Sequence, residues 1–442
     1  MPLHSESDFR ITTTNHIAHE LDQEAFVSHS KDGPAGVFSR NRKLTFRRLL
    51  FLIMSFKSSI QRDMDRFFRE LFREDFNIRE VTKGALTQAR AKLNPWAFQR
   101  LNEVAVNSFY SSADFLTWDG YRLLAVDGSG LKLPNHPSIR AEFGTHDFGP
   151  KADATGSVAR VSMLYDVLNQ VALDAQLSAF TTSERKMLRD QMPLLSQGDL
   201  LLLDRGYPAY WLFALLKAKK VEFCMRLNEN WWVSVKEFLA SGKSEQLLEY
   251  AIPKKDHDKL AEYPEWVEKG KTVSVRLLRI DLGEGRTEVL ATSLTNPAYQ
   301  PEHFKELYHL RWAEEEAFKL LKARVNLEAF SGKTAKAVKQ DFYAKVFMLT
   351  MVAIYAYPIE EKVRAEYKAD QDRKYDQKIN RTYALATFRD LIIPLFLRRK
   401  HQKSIDAFDE IVSRTREVVR PGRSNPRDKR TRRVFHQNYK PL

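Results

Sequence analysis

The order of apolar runs between Trp118 and Asn228 constrains the fold more than any other feature of this chain. RLLAVDGSGLKLP, SVARVSMLYDVLN and QVALDAQLSAF are short, rich in aliphatic residues and bounded by turn signals, the last two meeting near Asn169. A helical stretch from Ser183 to Leu195 follows, then GDLLLLDRGY, the helix-like PAYWLFALLKAKK and the strand-like VEFCMRLN. Three strands, a helix, a strand, a helix and another strand make an α/β unit on a mixed sheet. Ligands of such sheets gather at the carboxyl ends of strands. Two aspartates stand at such ends: Asp127, followed by Gly-Ser-Gly, and Asp204, followed by Arg-Gly-Tyr. Taken singly, each is more simply a turn former.

The 442 residues suggest two to four packed units at about 150 residues per domain. Residues 1–117 read as helical. From Val37 to Arg62 seven basic residues and no acid surround the apolar run Leu49 to Phe56, which predicts a helix with a packed side and a cationic approach. Between Ile78 and Asn102, Thr82 caps a helix whose Ala85, Leu86, Ala89 and Leu93 share a face, and Asn94-Pro95 ends it. Lys83, Gln88, Arg90 and Lys92 are left for solvent or for a ligand, either as a solvated face or as a helix in a DNA groove.

Beyond the first part of the core, residues 118–228, the rhythm breaks. Residues 229–287 contain WWVSVKEFL, SEQLLEYAI and a hairpin turning at Gly283-Glu284-Gly285, and read as a β-rich insertion. Residues 288–345 return to the core, with one long helix from Pro301 to about Val325. Residues 346–442 form a helical region that ends in a basic tail, with ten Lys or Arg and two acids from Ile411 to Leu442.

Composition limits the function classes. Lys and Arg number 71 against 57 acids, a net charge of +14, which points to a polyanionic partner. Hydrophobic residues at 43 % supply ordinary buried cores and exclude wholesale disorder. The single Cys224 excludes an intramolecular disulfide framework and a Cys-rich zinc site, and fits a reducing cytoplasm. The amino terminus lacks the pattern of a secretory signal, and the longest apolar run, Val346 to Tyr357, is shorter than the ~20 residues of a membrane span. A buried core helix and no membrane partner are expected.

Helix geometry singles out a third acid. In YHLRWAEEEAFKLLK, steps of about 100° place Tyr308, Arg311, Glu315 and Lys322 on one stripe roughly 60° wide. Glu314 falls instead beside Leu310, Ala317, Phe318 and Leu321, and Glu316 lies well off the stripe. A solvated face with helix salt bridges accounts for such a stripe equally simply.

Together these residues resemble the bacterial insertion-sequence DDE transposases. Asp127 in VDGSGLKLP, Asp204 in LLLDRGY, and Tyr308, Arg311, Glu315 and Lys322 at the spacing Tyr, two residues, Arg, three residues, Glu, six residues, Lys match the family's acid triad and Tyr-Arg-Glu-Lys signature. The resemblance implies an RNase H-like core between helical regions, the first of them DNA-binding, and an insertion between the second Asp and the Glu. It implies that Asp127, Asp204 and Glu315 are catalytic and hold two Mg²⁺ ions, with Mn²⁺ able to substitute. It further implies that Tyr308, Arg311 and Lys322, joined by Trp312 and Lys319, grip DNA, with Arg90, Lys92 and the tail residues Arg423 and Arg427 contributing. The expected activity is cut-and-paste transposition by a cytoplasmic, nucleoid-associated bacterial protein, acting as a dimer on two double-stranded DNA ends. The strand EVLATSL lacks the Trp with which some members hold a flipped base during hairpin cleavage; Trp231 and Trp232 lie elsewhere and are expected in the core or on a strand face. Two rival readings are an RNase H-like structure-selective nuclease and a DNA-binding regulator without catalysis.

Overall fold

The computed structural model describes residues 8–33, 36–38, 42–57, 59–147, 155–268, 270–283, 285–324, 327–369 and 374–419. Its centre is an eight-stranded mixed sheet. In chain order the strands are β1 (Arg122–Lys132), β2 (Val158–Asp166), β3 (Val171–Ala179), β4 (Asp199–Leu203), β5 (Glu222–Leu227), β6 (Glu245–Ala251), β7 (Thr272–Gly283) and β8 (Arg286–Thr292). Across the sheet they run β3-β2-β1-β4-β5-β8-β7-β6. β1, β2 and β3 form an antiparallel meander, while β4 and β5 add parallel to β1. That order, with only the second of the first five strands reversed, is the RNase H-like arrangement.

The central strands are apolar for a physical reason. Leu200 to Leu203 are fully buried, as a parallel strand covered on both faces must be. Register then fixes the site: Val126 pairs with Leu203 across the parallel β1–β4 ladder. The residue after each of these is an aspartate, so Asp127 and Asp204 stand side by side. Asp204 directly follows β4 as expected, whereas Asp127 does not end its strand but lies within β1, opposite Met163 of β2, because β1 stays paired with β2 as far as Lys132.

Residues expected as a distinct insertion extend this same sheet. β5 offers an open edge, and β8 fills it with Val289 opposite Leu227. The β7–β8 hairpin turns through Gly283 and Gly285, both at positive φ, where glycine avoids the steric penalty of a side chain.

The helical regions from the two ends of the chain pack around one long helix, Ala335–Ala369. By length and apolar character it could cross a membrane, but its middle is enclosed by protein: Met351, Val352, Ile354 and Tyr355 are fully buried. From the amino-terminal side, Thr14 shares a 2.6 Å hydrogen bond with the Tyr355 hydroxyl, and Arg10 pairs with Asp409. The expected cationic approach is partly neutralised within the fold. Lys43 pairs with Glu80, Arg47 with Asp22 and Lys57 with Asp390, while Arg40 lies outside the described residues.

The long helix expected from Pro301 is interrupted. α1 of the signature region (Pro301–His309) and α2 (Trp312–Lys319) are separate, and a π turn covers Leu320–Arg324. At the junction Leu310, Arg311, Ala313 and Glu314 donate to the third residue back, tightening the turn.

Candidate active site

Each aspartate is oriented by a backbone N–H just after it, within β1 for Asp127 and in the turn after β4 for Asp204. Asp127 accepts from the Gly128 N–H at 2.8 Å, and Asp204 accepts from the Gly206 N–H at 2.8 Å. Burial pushes the Asp127 carboxyl up to about 6; Asp204 and Glu184 push the same way, while the Gly128 N–H and Arg311 oppose them.

α2 faces this pair with two of its three glutamates in different roles. Glu315 accepts from Arg311 at 2.9 Å, and the same guanidinium lies 3.9 Å from Asp127. Arg311 therefore spans the strand acid and the helix acid. Burial works against its charge, but Tyr308, Glu315 and Asp127 hold it above its ordinary value. Glu314 is fully buried, with Oε1 accepting from the Asp127 N–H at 2.7 Å and Oε2 without a partner. Burial first, and then Asp127, drive its pKa well up. Sequence reasoning passed over Glu314 because it falls on the apolar side of the helix; a carboxylate among Leu310, Ala317 and Phe318 was itself the available signal.

Several residues assigned to DNA on sequence stand elsewhere. Tyr308 is 9 % exposed, and its hydroxyl donates to the Leu203 carbonyl at 3.3 Å, so it packs beneath the site with Arg311 over its ring. Arg90 is a core residue rather than a surface cation: it donates to Gln340, Ser331, the Ala337 carbonyl and Asp341 at 2.6 to 2.9 Å. A helix face drawn from residues 83–92 alone could not reveal that a segment some 250 positions later would cover it. Lys92 remains exposed. Lys322 donates to Ser129 and to the Gly130 carbonyl, at 2.5 and 2.6 Å, just past Asp127 on β1. Trp312 and Lys319 are on the outside, the ammonium 4.9 Å above the indole and both bonded to Glu316. Trp232 packs against Tyr210 and Tyr250, as expected of a core residue, whereas Trp231 is 56 % exposed. Arg423 and Arg427 lie outside the described residues.

Beneath the acids the Tyr207 hydroxyl is buried without a partner, within electrostatic reach of Glu184, Glu314, Asp127 and Asp204. Among the described residues no group of three or more His, Cys, Asp or Glu side chains is placed, as it stands, to hold a metal ion. The oxygen-only donors Asp127 and Asp204, and the two orphaned buried polar atoms beside them, suit a hard divalent cation rather than a soft one.

An RNase H-like sheet that sets Asp127 of β1 beside Asp204 just after β4, with a glutamate-bearing helix linked to Asp127 through Arg311, defines a DDE-type catalytic domain. The transposase DDE domain family matches residues 118–351, more than half of the sequence, and the chain belongs to that family, whose members generally use divalent metal ions. Transposase InsG of insertion sequence element IS4 from Escherichia coli K12 is 22 % identical over 286 residues, covering 62 % of this chain and 60 % of the relative. Putative transposase InsZ of the same strain is 22 % identical over 165 residues, covering 36 % of this chain and 52 % of the relative. The chain thus spans between half and two thirds of the length of these relatives. A piggyBac transposase synaptic complex with hairpin DNA aligns with a TM-score of 0.44 and 11 % identity, over 94 % of this chain and 86 % of that one.

Proposed function

We propose that this chain is a transposase that binds the ends of a mobile DNA element and carries out cleavage and strand transfer with Mg²⁺, which Mn²⁺ can replace. The observation that carries the reading is the parallel register that sets Asp127 beside Asp204, with Glu315 linked to Asp127 through Arg311. Asp127, Asp204 and Glu315 are the carboxylates that hold the metal. When bound, divalent ions activate the attacking oxygen and stabilise the leaving one in an in-line displacement at phosphorus.

The protein's remaining work is positioning. Arg311 and Lys322 flank the acids and can turn to DNA phosphate, the first as a two-oxygen fork and the second as a point charge. Tyr308 supports Arg311 from below. Trp312 and Lys319 extend the contact along the exposed side of α2, with Lys92, Arg423 and Arg427 adding charge farther away. Water first attacks phosphorus at each element end and displaces the 3′-oxygen as a free hydroxyl. That hydroxyl then attacks a phosphorus of target DNA and displaces the target strand's own 3′-oxygen, with two chains holding the two ends.

The test uses duplexes carrying the element's own ends, intact or pre-cut. Asp127→Asn, Asp204→Asn and Glu315→Gln should each abolish cleavage and joining while end binding persists. A chain that cuts but never joins a pre-cut 3′-hydroxyl is the structure-selective nuclease. One that binds its ends and cuts with neither Mg²⁺ nor Mn²⁺ is the regulator.

A further inference from the structure

A fourth acid enters the site from an element that the triad does not use. Glu184 opens the helix Glu184–Gln191, whose start is capped by Ser183. Arg185 holds that start against the loop after Asp204, donating to the Tyr207 carbonyl at 2.9 Å and to the Pro208 carbonyl at 3.0 Å. The Glu184 carboxylate then fills space left open by two glycines, one behind each aspartate. A Cβ on Gly128 would stand 2.6 Å from its carboxyl carbon, so any side chain there would displace the Glu184 carboxylate. A Cβ on Gly206 would stand 3.6 Å from its Oε2 and 3.1 Å from Asp204 Oδ1.

Glu184 therefore lies between the backbones that carry Asp127 and Asp204, above the unpartnered Tyr207 hydroxyl. Its ion-pair partner is Arg160 on β2, which is itself held by the Phe180 carbonyl at 3.1 Å and lies 4.7 Å from the Phe180 ring. A carboxylate set beside two others and paired with Arg160 gains further from a cation shared with those two carboxylates.

We propose that Glu184 is a further metal-binding carboxylate of this site, acting with Asp127 and Asp204, and that Gly128 is small because the Glu184 carboxylate occupies the space a side chain there would take. The inference rests on the site reading above. Arg160 holds Glu184 at the rim and is not itself required by the ion.

The experiment titrates the full chain with Mn²⁺ alone, without DNA, following the electron paramagnetic resonance signal of the free ion. Glu184→Gln should raise the Mn²⁺ Kd by roughly 10-fold or more, with thermal unfolding in chelator unchanged. Arg160→Gln should bind Mn²⁺ at least as tightly as the parent, and Gly128→Ala should mimic Glu184→Gln by displacing the carboxylate. Unaltered affinity in Glu184→Gln, alongside loss in Asp127→Asn, overturns the role of Glu184 and leaves the triad standing. Equal weakening by Arg160→Gln and Glu184→Gln also overturns it, because the ion pair would then be structural. If Asp127→Asn binds Mn²⁺ like the parent, the site reading fails and this inference falls with it.

Discussion

Adjacent glutamates on one short helix differ because their surroundings differ. Glu315, tied to Arg311 and a quarter exposed, is available to a ligand. Glu314 is sealed, and its bond to the Asp127 N–H makes it a positioning residue beneath the site. Glu315→Gln should therefore lower cleavage by several kcal/mol of lost transition-state stabilisation, roughly 1,000-fold in rate. Glu314→Gln keeps the acceptor and should stay within about 10-fold of the parent, whereas Glu314→Leu leaves a buried N–H unpaired and should cost about 1–3 kcal/mol in chemical denaturation. The raised carboxyl of Asp127 gives a pH signature. Its folded pKa of about 6 exceeds the ordinary value, so the folded, metal-free chain holds this proton more tightly than the unfolded one. That contribution is complete below about pH 4 and is lost as pH rises through about 6. Urea unfolding in chelator should show stability falling across that window, with a shallower fall in Asp127→Asn. Divalent-ion affinity should rise over the same window, since the ion competes with the proton.

At the scale of elements, two contacts decide how the helical regions meet the sheet. Arg90 joins its helix, Lys83–Ala91, to the long helix through Asp341, both side chains almost fully buried. Removing one partner of such a pair leaves a buried charge uncompensated. Arg90→Ala should cost about 3–5 kcal/mol in urea unfolding, and rescue by added salt would place Arg90 at the surface instead. Tyr308 joins the signature helix to β4. Tyr308→Phe should lose about 1 kcal/mol with the Leu203 bond, while Tyr308→Ala should lose about 3–5 kcal/mol with its packing. The break after His309 was not legible from periodicity, because a 3.6-residue repeat continues through a tightened turn with little loss of phase. The expected stripe nevertheless survives as a cluster, since Arg311, Glu315 and Lys322 all lie C-terminal to the break and Tyr308 packs under Arg311 across it.

For the whole molecule, net charge sets the character of the proposed DNA complex. With a charge of +14, an interface neutralising six to ten phosphates should lose about 10³-fold or more in affinity between 50 and 200 mM salt, read by fluorescence anisotropy. Deleting residues 420–442 should flatten that salt slope, and an unchanged slope would remove the basic tail from the interface. The sequence by itself determined the sheet's strand succession, the strand-end position of Asp204 and the signature spacing, because each depends on short-range periodicity or on identity at fixed separations, whereas Asp127 lies within β1 because β2 keeps that strand paired beyond it. Tertiary structure alone decided which cations are free, how far the sheet extends, and which acids share the site. Arg90 is buried by a partner from the opposite flank, β8 completes an edge left open by β5, and Glu184 arrives on a helix whose distance from Asp127 along the chain gives no hint of proximity. Burial and convergence are properties of pairs of segments, and no window of sequence contains both members.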